Sequence, residues 1–441
     1  MRRGKDRKMI RRIALIASVT VALYAQEGEV ITLSEAYNRA LSHEAKLKSV
    51  GYQVDAKEED VTQAQSQLYP QISANLDNSQ RKYKENYYKR NVKEEYDSSS
   101  IVVNQVIYHP EIFSQIESAK LKVDSSKIYL TKQQQELAYK VADAYVSILK
   151  YQNSVAVAES YVKTNLVKHQ QIAEKFALNL SNKMDYLESK VSYEQSKITL
   201  SKQENLLALA KTKLKNLTGL NVTSIPSVAF DALELDSLLL ISSIEDLKEN
   251  PDIKMSKLNT KISEKEIEIA KYGHYPKLDL SLSHTEYHTK DNTVDYERDS
   301  RMMLEFKIPI FYGGRISSQV EKSRLLLLAS QEDLSDQERE VRLKFEELSL
   351  NYEAALRDIK LNKDAQSSAE LYLSAVQKGY EHGLKNLIDL EDAKTKLYET
   401  KFKLIDSVYT FINSYIGILN ITGRLTPGDV EKLNAIIFKT S

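Results

Sequence analysis

From Pro110 to Pro226 the chain has no intervening proline and a single glycine, Gly219, and this absence constrains the fold more than any motif does. Nothing between residues 111 and 218 interrupts the hydrogen-bond ladder of an α-helix, so long helices are expected. Apolar residues in this stretch recur at alternating spacings of four and three. Leu137, Val141, Ala144, Ile148, Tyr151, Val155, Ala158 and Val162 form one seam. Val341, Phe345, Leu348, Tyr352, Ala355 and Ile359, then Ala369, Leu373, Val376 and Tyr380, repeat it later in the chain. A sustained seven-residue period means left-handed coiled-coil packing, and these stripes read as core seams rather than as a cofactor surface. As one helix, the segment from Pro110 to Leu178 would reach ~100 Å at ~1.5 Å per residue.

The chain also repeats itself. Asn216-Leu217-Thr218-Gly219 returns as Asn420-Ile421-Thr422-Gly423, an offset of 204 residues. The same offset pairs Phe176 with Tyr380, Leu180 with Leu384, Asn182 with Asn386, Asp185 with Asp389, and Val106-Ile107-Tyr108 with Ile310-Phe311-Tyr312. Tyr69-Pro70 matches Tyr275-Pro276 at 206, which places a two-residue length difference in a loop just beyond. After these prolines the period changes to two. Leu278, Leu280 and Leu282 alternate with polar residues, as do Met302, Leu304, Phe306, Ile308 and Ile310 later and Ile72, Ala74 and Leu76 in the first copy. These are strands with one apolar face. Tyrosine-rich polar stretches at 79–97 and 285–300 form the hairpin ends, and Tyr87, Tyr88, Tyr96, Tyr287 and Tyr296 are candidates for the rim of an apolar band.

The expected organisation is a first repeat over 26–218 and a second over 242–423. The first carries a β-hairpin at about 71–108, a long helix, a tip at about 177–182 and a return helix over 181–218. The second has its hairpin at about 277–311, its tip at about 381–386 and its return helix over 385–422. An irregular equatorial linker, 219–241, joins them, and 424–441 is a C-terminal tail. The capping box Ser242-x-x-Glu245 predicts a helix over 242–271, and Thr32 with Glu35 predicts one running to about Leu68.

Charge and composition exclude several functions. Residues 1–25 carry seven basic residues and one acidic residue, with an apolar run from Ile13 to Tyr24 ahead of Ala25, which is the anatomy of a signal peptide. Without this leader the balance of 62 basic and 62 acidic residues becomes 55 against 61, a poor basis for nucleic-acid binding. There is no cysteine, so disulfides, thiolate catalysis and a lipid-anchored N-terminal cysteine are excluded. His284 and His288 could share a face but lack a third ligand, so neither a metal nor a cofactor is expected, and no constellation marks an enzyme. An exported chain with four strands and no apolar run long enough to span a bilayer cannot close a membrane barrel alone. It must oligomerise, or stay out of the membrane as a periplasmic coiled-coil scaffold without a pore.

These residues resemble the TolC-type outer membrane efflux proteins, also called outer membrane factors. The resemblance rests on Ile31-Thr32-Leu33-Ser34-Glu35-Ala36, the two Tyr-Pro pairs, Ile308-Pro309-Ile310-Phe311-Tyr312-Gly313-Gly314, and Gly383-Leu384 followed by Asp389-Leu390, and it covers nearly the whole chain. It implies a mainly α fold with a small β part, in which three subunits build a 12-stranded outer membrane β-barrel continued by a periplasmic α-helical barrel. It also implies a passive exit duct for efflux or type I secretion in a Gram-negative outer membrane, with outer membrane lipid around it. Its partners would be a periplasmic adaptor protein and, through the adaptor, an inner-membrane pump.

The resemblance further assigns roles at the tips. Asp389 and Asp392 match the carboxylates ringing the periplasmic entrance, although acids in a first helical turn also simply complement the helix dipole. Tyr380, Lys385 and Asp185 match a polar latch. Lys385 stands where an arginine is familiar, and Met184 where a hydroxyl residue is, which predicts a weaker latch because an ammonium lacks the bidentate fork. Asn179, Leu180, Ser181, Gly383 and Leu384 match the grooves that receive the adaptor. Asn and Gly are also the residues that tolerate positive φ at a helix C-terminus.

Overall fold

The structure, a computed structural model, describes residues 31–85, 90–221, 225, 244–289 and 297–437. The signal peptide, most of the 219–241 linker, and Tyr87, Tyr88 and Tyr296 lie outside these residues. The elements follow in the order α1 (Leu33–His43), α2 (Ala45–Ser66), β1 (Gln71–Glu85), β2 (Arg90–Tyr108), α3 (Pro110–Ala177), α4 (Lys183–Thr218), α5 (Pro251–Tyr272), β3 (Lys277–Thr289), β4 (Glu297–Lys307), α6 (Arg315–Glu381), α7 (Leu387–Ile421) and α8 (Pro427–Ile437).

Helix α3 runs unbroken for 68 residues and α6 for 67, each ~100 Å long. Pro110 opens α3 at a position whose N–H has no intrahelical acceptor in any case. Along one half of their length the long helices pack against α2 and α5, and along the other half against the return helices α4 and α7. The half-length helices are therefore stacked end to end against the full-length ones.

The sequence-based boundaries need two corrections here. The helix expected over 242–271 begins at Pro251, because Asn250 accepts hydrogen bonds from the Asp252 and Ile253 amides and Pro251 takes the first helical position. A short 3₁₀ turn, Ile244–Glu249, precedes it. The N-terminal helix starts at the Thr32/Glu35 capping box as expected but breaks at Glu44, whose extended backbone (ψ 109°) redirects α2 along α3.

The two hairpins join into one antiparallel sheet in the order β1-β2-β3-β4. Its register puts Ile72, Val103, Leu282 and Met302 in one row across one face, and Gln71, Asn104, Ser281 and Met303 in the next row on the other. The first face is apolar and fully open, with Leu76 85% and Met302 76% exposed. The second carries cross-strand polar bonds such as Ser281 Oγ donating to Asn104 Oδ1 at 2.8 Å. Strand β4 stops at Lys307 rather than continuing to Ile310, since Pro309 has no N–H to extend a ladder. Among the described residues, the outer edges of β1 and β4 have no strand partner.

The main core lies at mid-height, where α1, α3, α4, α6, α7 and α8 meet around Leu33, Tyr145, Ile148, Phe411 and Ile416. Tyr145 is fully buried and donates its hydroxyl to the Ile31 carbonyl at 2.8 Å, and burial pushes its ionisation well above the ordinary range. A small second cluster of Val376, Leu390 and Ala393, flanked by Leu373 and Tyr380, sits near the second tip. Polar bonds thread the contact of α3 with α7 beside core residues such as Ile148 and Val408, and nearer the tips Tyr161 packs against Tyr398 with ring centroids 4.2 Å apart. Lys150 pairs with Asp406, the Tyr409 hydroxyl donates to Asp143 at 2.9 Å, and Tyr161 meets Thr395 at 3.0 Å.

Candidate functional site

Both long helices end in the same turn. The Leu180 amide donates back to the Lys175 carbonyl at 2.7 Å, and the Leu384 amide to the Gly379 carbonyl at 2.7 Å. These six-residue closures require one left-handed residue each, supplied by Asn179 (φ 58°) and Gly383 (φ 72°). The return helices are then capped alike: Asn182 accepts from the Asp185 amide and Asn386 from the Asp389 amide, both at 2.8 Å. Local sequence thus projects Leu178, Leu180, Met184 and Leu384 outward, all strongly exposed at the end of the molecule.

The two aspartates expected at the entrance differ in their engagement. Asp389 is half-buried, and its carboxylate accepts from the Asn386 amide at 3.2 Å and lies 3.7 Å from Lys385 Nζ. Asp392 is exposed and, among the described residues, makes no ion pair. Asp389 therefore serves the helix cap and carries charge at once, whereas Asp392 presents an uncompensated carboxylate.

Of the three latch residues, the structure brings Tyr380 and Asp185 into one electrostatic neighbourhood. Burial, with the Asp185 and Glu391 carboxylates, raises the Tyr380 hydroxyl above its ordinary value. Lys385 turns instead to Asp389 in its own segment, and its stem packs over Gly379, where a Cβ would meet Lys385 Cγ at 3.0 Å. Among the described residues, the Asp185 carboxylate receives a single long hydrogen bond, from Ser181 Oγ at 3.4 Å, while its amide serves the cap.

The sequence reading missed the charges behind Tyr380. Lys168 Nζ lies 3.9 Å from the Tyr380 ring centroid, and Lys394 donates to Glu391 Oε1 at 2.9 Å with both side chains more than nine-tenths buried. Glu391 and Lys394, three apart on a helix, look like an ordinary surface ion pair. Only the packing of α7 against α3 buries them. The histidine pair lies on one strand face, where His284 meets Ser300 Oγ at 2.7 Å and Glu286 at 3.6 Å. Among the described residues, no group of three or more His, Cys, Asp or Glu side chains could hold a metal ion.

Long helical hairpins under a small sheet, repeated at an offset of 204 residues, also organise the match to known proteins. The profile of the family described as "Outer membrane efflux protein" matches residues 36–220 and 244–424, two blocks that bracket the linker. The chain belongs to the outer membrane efflux protein family. Members similar to it include the outer membrane protein TolC of Salmonella enteritidis, 22% identical with 98% of this chain and 90% of that protein covered. The proteases secretion protein PrtF of Dickeya chrysanthemi is likewise 22% identical, with 97% and 95% covered. Among solved structures, CusC superposes with a TM-score of 0.80 at 15% identity, covering 91% of this chain and 95% of that one. The family fold, a β-barrel portion continued by an α-helical portion, is thus the fold of this chain.

Proposed function

We propose that the protein is a trimeric outer membrane channel, the passive exit duct of a tripartite efflux pump or a type I secretion system. The carrying observation is the open four-stranded sheet: one face apolar, the other polar, both edges without a strand partner among the described residues, set on helices ~100 Å long. Three copies joined edge to edge give a closed barrel with its apolar face toward lipid and its polar face toward a lumen, leaving no exposed backbone edge. The helices below would continue the tube. Exposed apolar residues on two separate flanks support the same ring, Leu187, Val191, Ile198 and Leu209 on α4, and Leu343, Leu350, Leu361 and Leu371 on α6. Two different flanks meeting head to tail generate a cyclic assembly. The family and the names of its relatives, outer membrane protein TolC and proteases secretion protein PrtF, support the location and the transport role.

In this reading the tips are the periplasmic entrance. Asp389 and Asp392 of three subunits form a carboxylate ring that favours cations, Tyr380, Lys385 and Asp185 restrain the tip helices, and Leu180 and Leu384, with Asn179, Ser181 and Gly383, receive the adaptor that links the duct to an inner-membrane pump. The deciding measurement is planar-bilayer conductance of the detergent-extracted oligomer, wild type against Asp389→Ala/Asp392→Ala, over a series of divalent-cation concentrations. Discrete channels whose divalent block vanishes in the variant are expected; a folded oligomer that forms no channels overturns the duct. For the docking surface, Leu180→Asp with Leu384→Asp is expected to abolish co-purification with the adaptor.

A further inference from the structure

Among the described residues, a lysine without a carboxylate partner and a glutamate with one of its two oxygens unpartnered share one neighbourhood where the two helical hairpins meet. Lys168, on α3, is half-buried and, among the described residues, has no carboxylate within ion-pair distance; its contact is the face of Tyr380 on α6. Glu391, on α7, is 5% exposed, and while its Oε1 accepts from Lys394, its Oε2 is buried without a hydrogen-bond partner. A ring face replaces only part of the hydration lost by an ammonium, and a buried carboxylate oxygen without a donor carries its full desolvation cost. The Glu391 charge acts on both Lys168 and Tyr380, so the three groups share one neighbourhood.

We infer that Lys168 and Glu391 are a switching pair: apart in the arrangement seen here, and joined when the α6/α7 hairpin shifts along α3. Joining satisfies both groups at once and releases the Tyr380 ring. Near the tips the second apolar cluster is small and α7 meets α3 partly through hydroxyl pairs, Tyr161 with Thr395 at 3.0 Å and Thr164 with Tyr398 at 3.3 Å, which exchange partners more readily than a packed apolar core reorganises. Lys168 would thus be a positioning residue that favours movement of the tip.

The charges around Lys168 give the switch a direction in pH. Lys175 on its own helix and Lys394 on α7 repel it, Glu381 on α6 and Glu391 on α7 attract it, and Tyr380 faces it from α6. Burial leads these effects and brings the ammonium down from 10.5 to about 8. In the joined arrangement the lysine regains a carboxylate, so its protonated form favours joining. As pH rises through about 8 the proton is lost and the arrangement seen here gains, by up to about tenfold per pH unit for one coupled proton.

The test measures tip spacing in the full-length, detergent-purified protein by spin labels on Leu180→Cys and Leu384→Cys, which are unique sites because the chain has no cysteine of its own. Two spacings are expected at pH 7, collapsing to one above pH 8. Lys168→Met and Glu391→Gln should show one spacing at every pH, whereas Lys168→Arg, which stays charged, should keep both to pH 9.5. Lys168→Met should also melt no lower than its parent, since it removes a buried ammonium. A single spacing in all four proteins, two spacings that no substitution alters, or loss of stability with unchanged spacings would overturn the inference. Conductance adds a second readout that rests on the duct reading: open probability should change through pH 8 in the wild type and stay constant in Lys168→Met. If no variant conducts at all, the duct reading fails while the label distances still decide the switch.

Discussion

At the first tip the chain turns through Asn179 and at the second through Gly383, positions 204 residues apart with the same left-handed backbone and the same closing hydrogen bond. What supports each turn differs. Behind the first, Phe176, Tyr186, His169 and Tyr193 form a ladder of rings spaced 5.2, 5.4 and 6.0 Å apart, and His169 also bonds Ser189 at 3.0 Å. All of these contacts lie within the α3/α4 hairpin. Behind the second, the apolar cluster is small, the cap is reciprocal, Lys385–Asp389 and Lys394–Glu391 pair within the hairpin, and Lys168 reaches across from α3 to Tyr380. The first hairpin is stapled to itself and the second is tethered to the first. Motion of one hairpin against the other is therefore most easily assigned to α6/α7.

The largest expected effect on this contrast comes from Gly383→Val. A β-branched residue at φ 72° should cost the second tip about 2 kcal/mol, read as faster amide exchange over residues 376–392 with residues 170–190 unchanged. Removing the caps should come next. Asn386→Ala should cost about 1.5 kcal/mol and Asn182→Ala about 1 kcal/mol, because only the second cap is returned by its partner carboxylate. Equal losses by thermal melting would mean that the reciprocal bond adds nothing. Tyr186→Leu breaks the ring ladder and should cost about 1 kcal/mol, with exchange rising only in the α3/α4 hairpin. A rise in the second tip would show that the first is not self-contained. The smallest effect is expected from Asn179→Gly, within about 0.5 kcal/mol of the parent, since relief at positive φ is offset by the freer unfolded chain.

Much of this architecture is written locally. The first long helix runs from Pro110 to Ala177 because no residue in between breaks it, and the equivalence of Asn182 with Asn386 and of Asp185 with Asp389 places both caps without any knowledge of packing. The alternation that separates Ile72, Leu282 and Met302 from Ser73, Ser281 and Arg301 already gives the sheet its two unlike faces. Where local reading failed, a nearer signal competed. Asn250-Pro251 opens α5 because it supplies both a capping side chain and a fixed first φ, whereas Ser242 of the expected capping box lies outside the described residues. The break at Glu44 has no proline or glycine to announce it. It exists because Leu33, Ala36, Tyr37 and Ala40 are drawn into the mid-height core while α2 follows α3.

The unbroken run of the long helices, the tip turns, their caps and the two faces of the strands are legible in the chain, since each depends on residues within a few positions of one another. Tertiary packing sets the rest: β2 pairs with β3 across 170 residues or more, Asp389 is half-engaged while Asp392 stands open, and Glu391 and Lys394 are buried beside a half-buried Lys168. A charged residue at a helical spacing carries no mark of whether water or another helix will face it. That is settled by which long helix packs against which, and it is this packing that buries the Glu391–Lys394 pair and leaves Lys168 facing the ring of Tyr380.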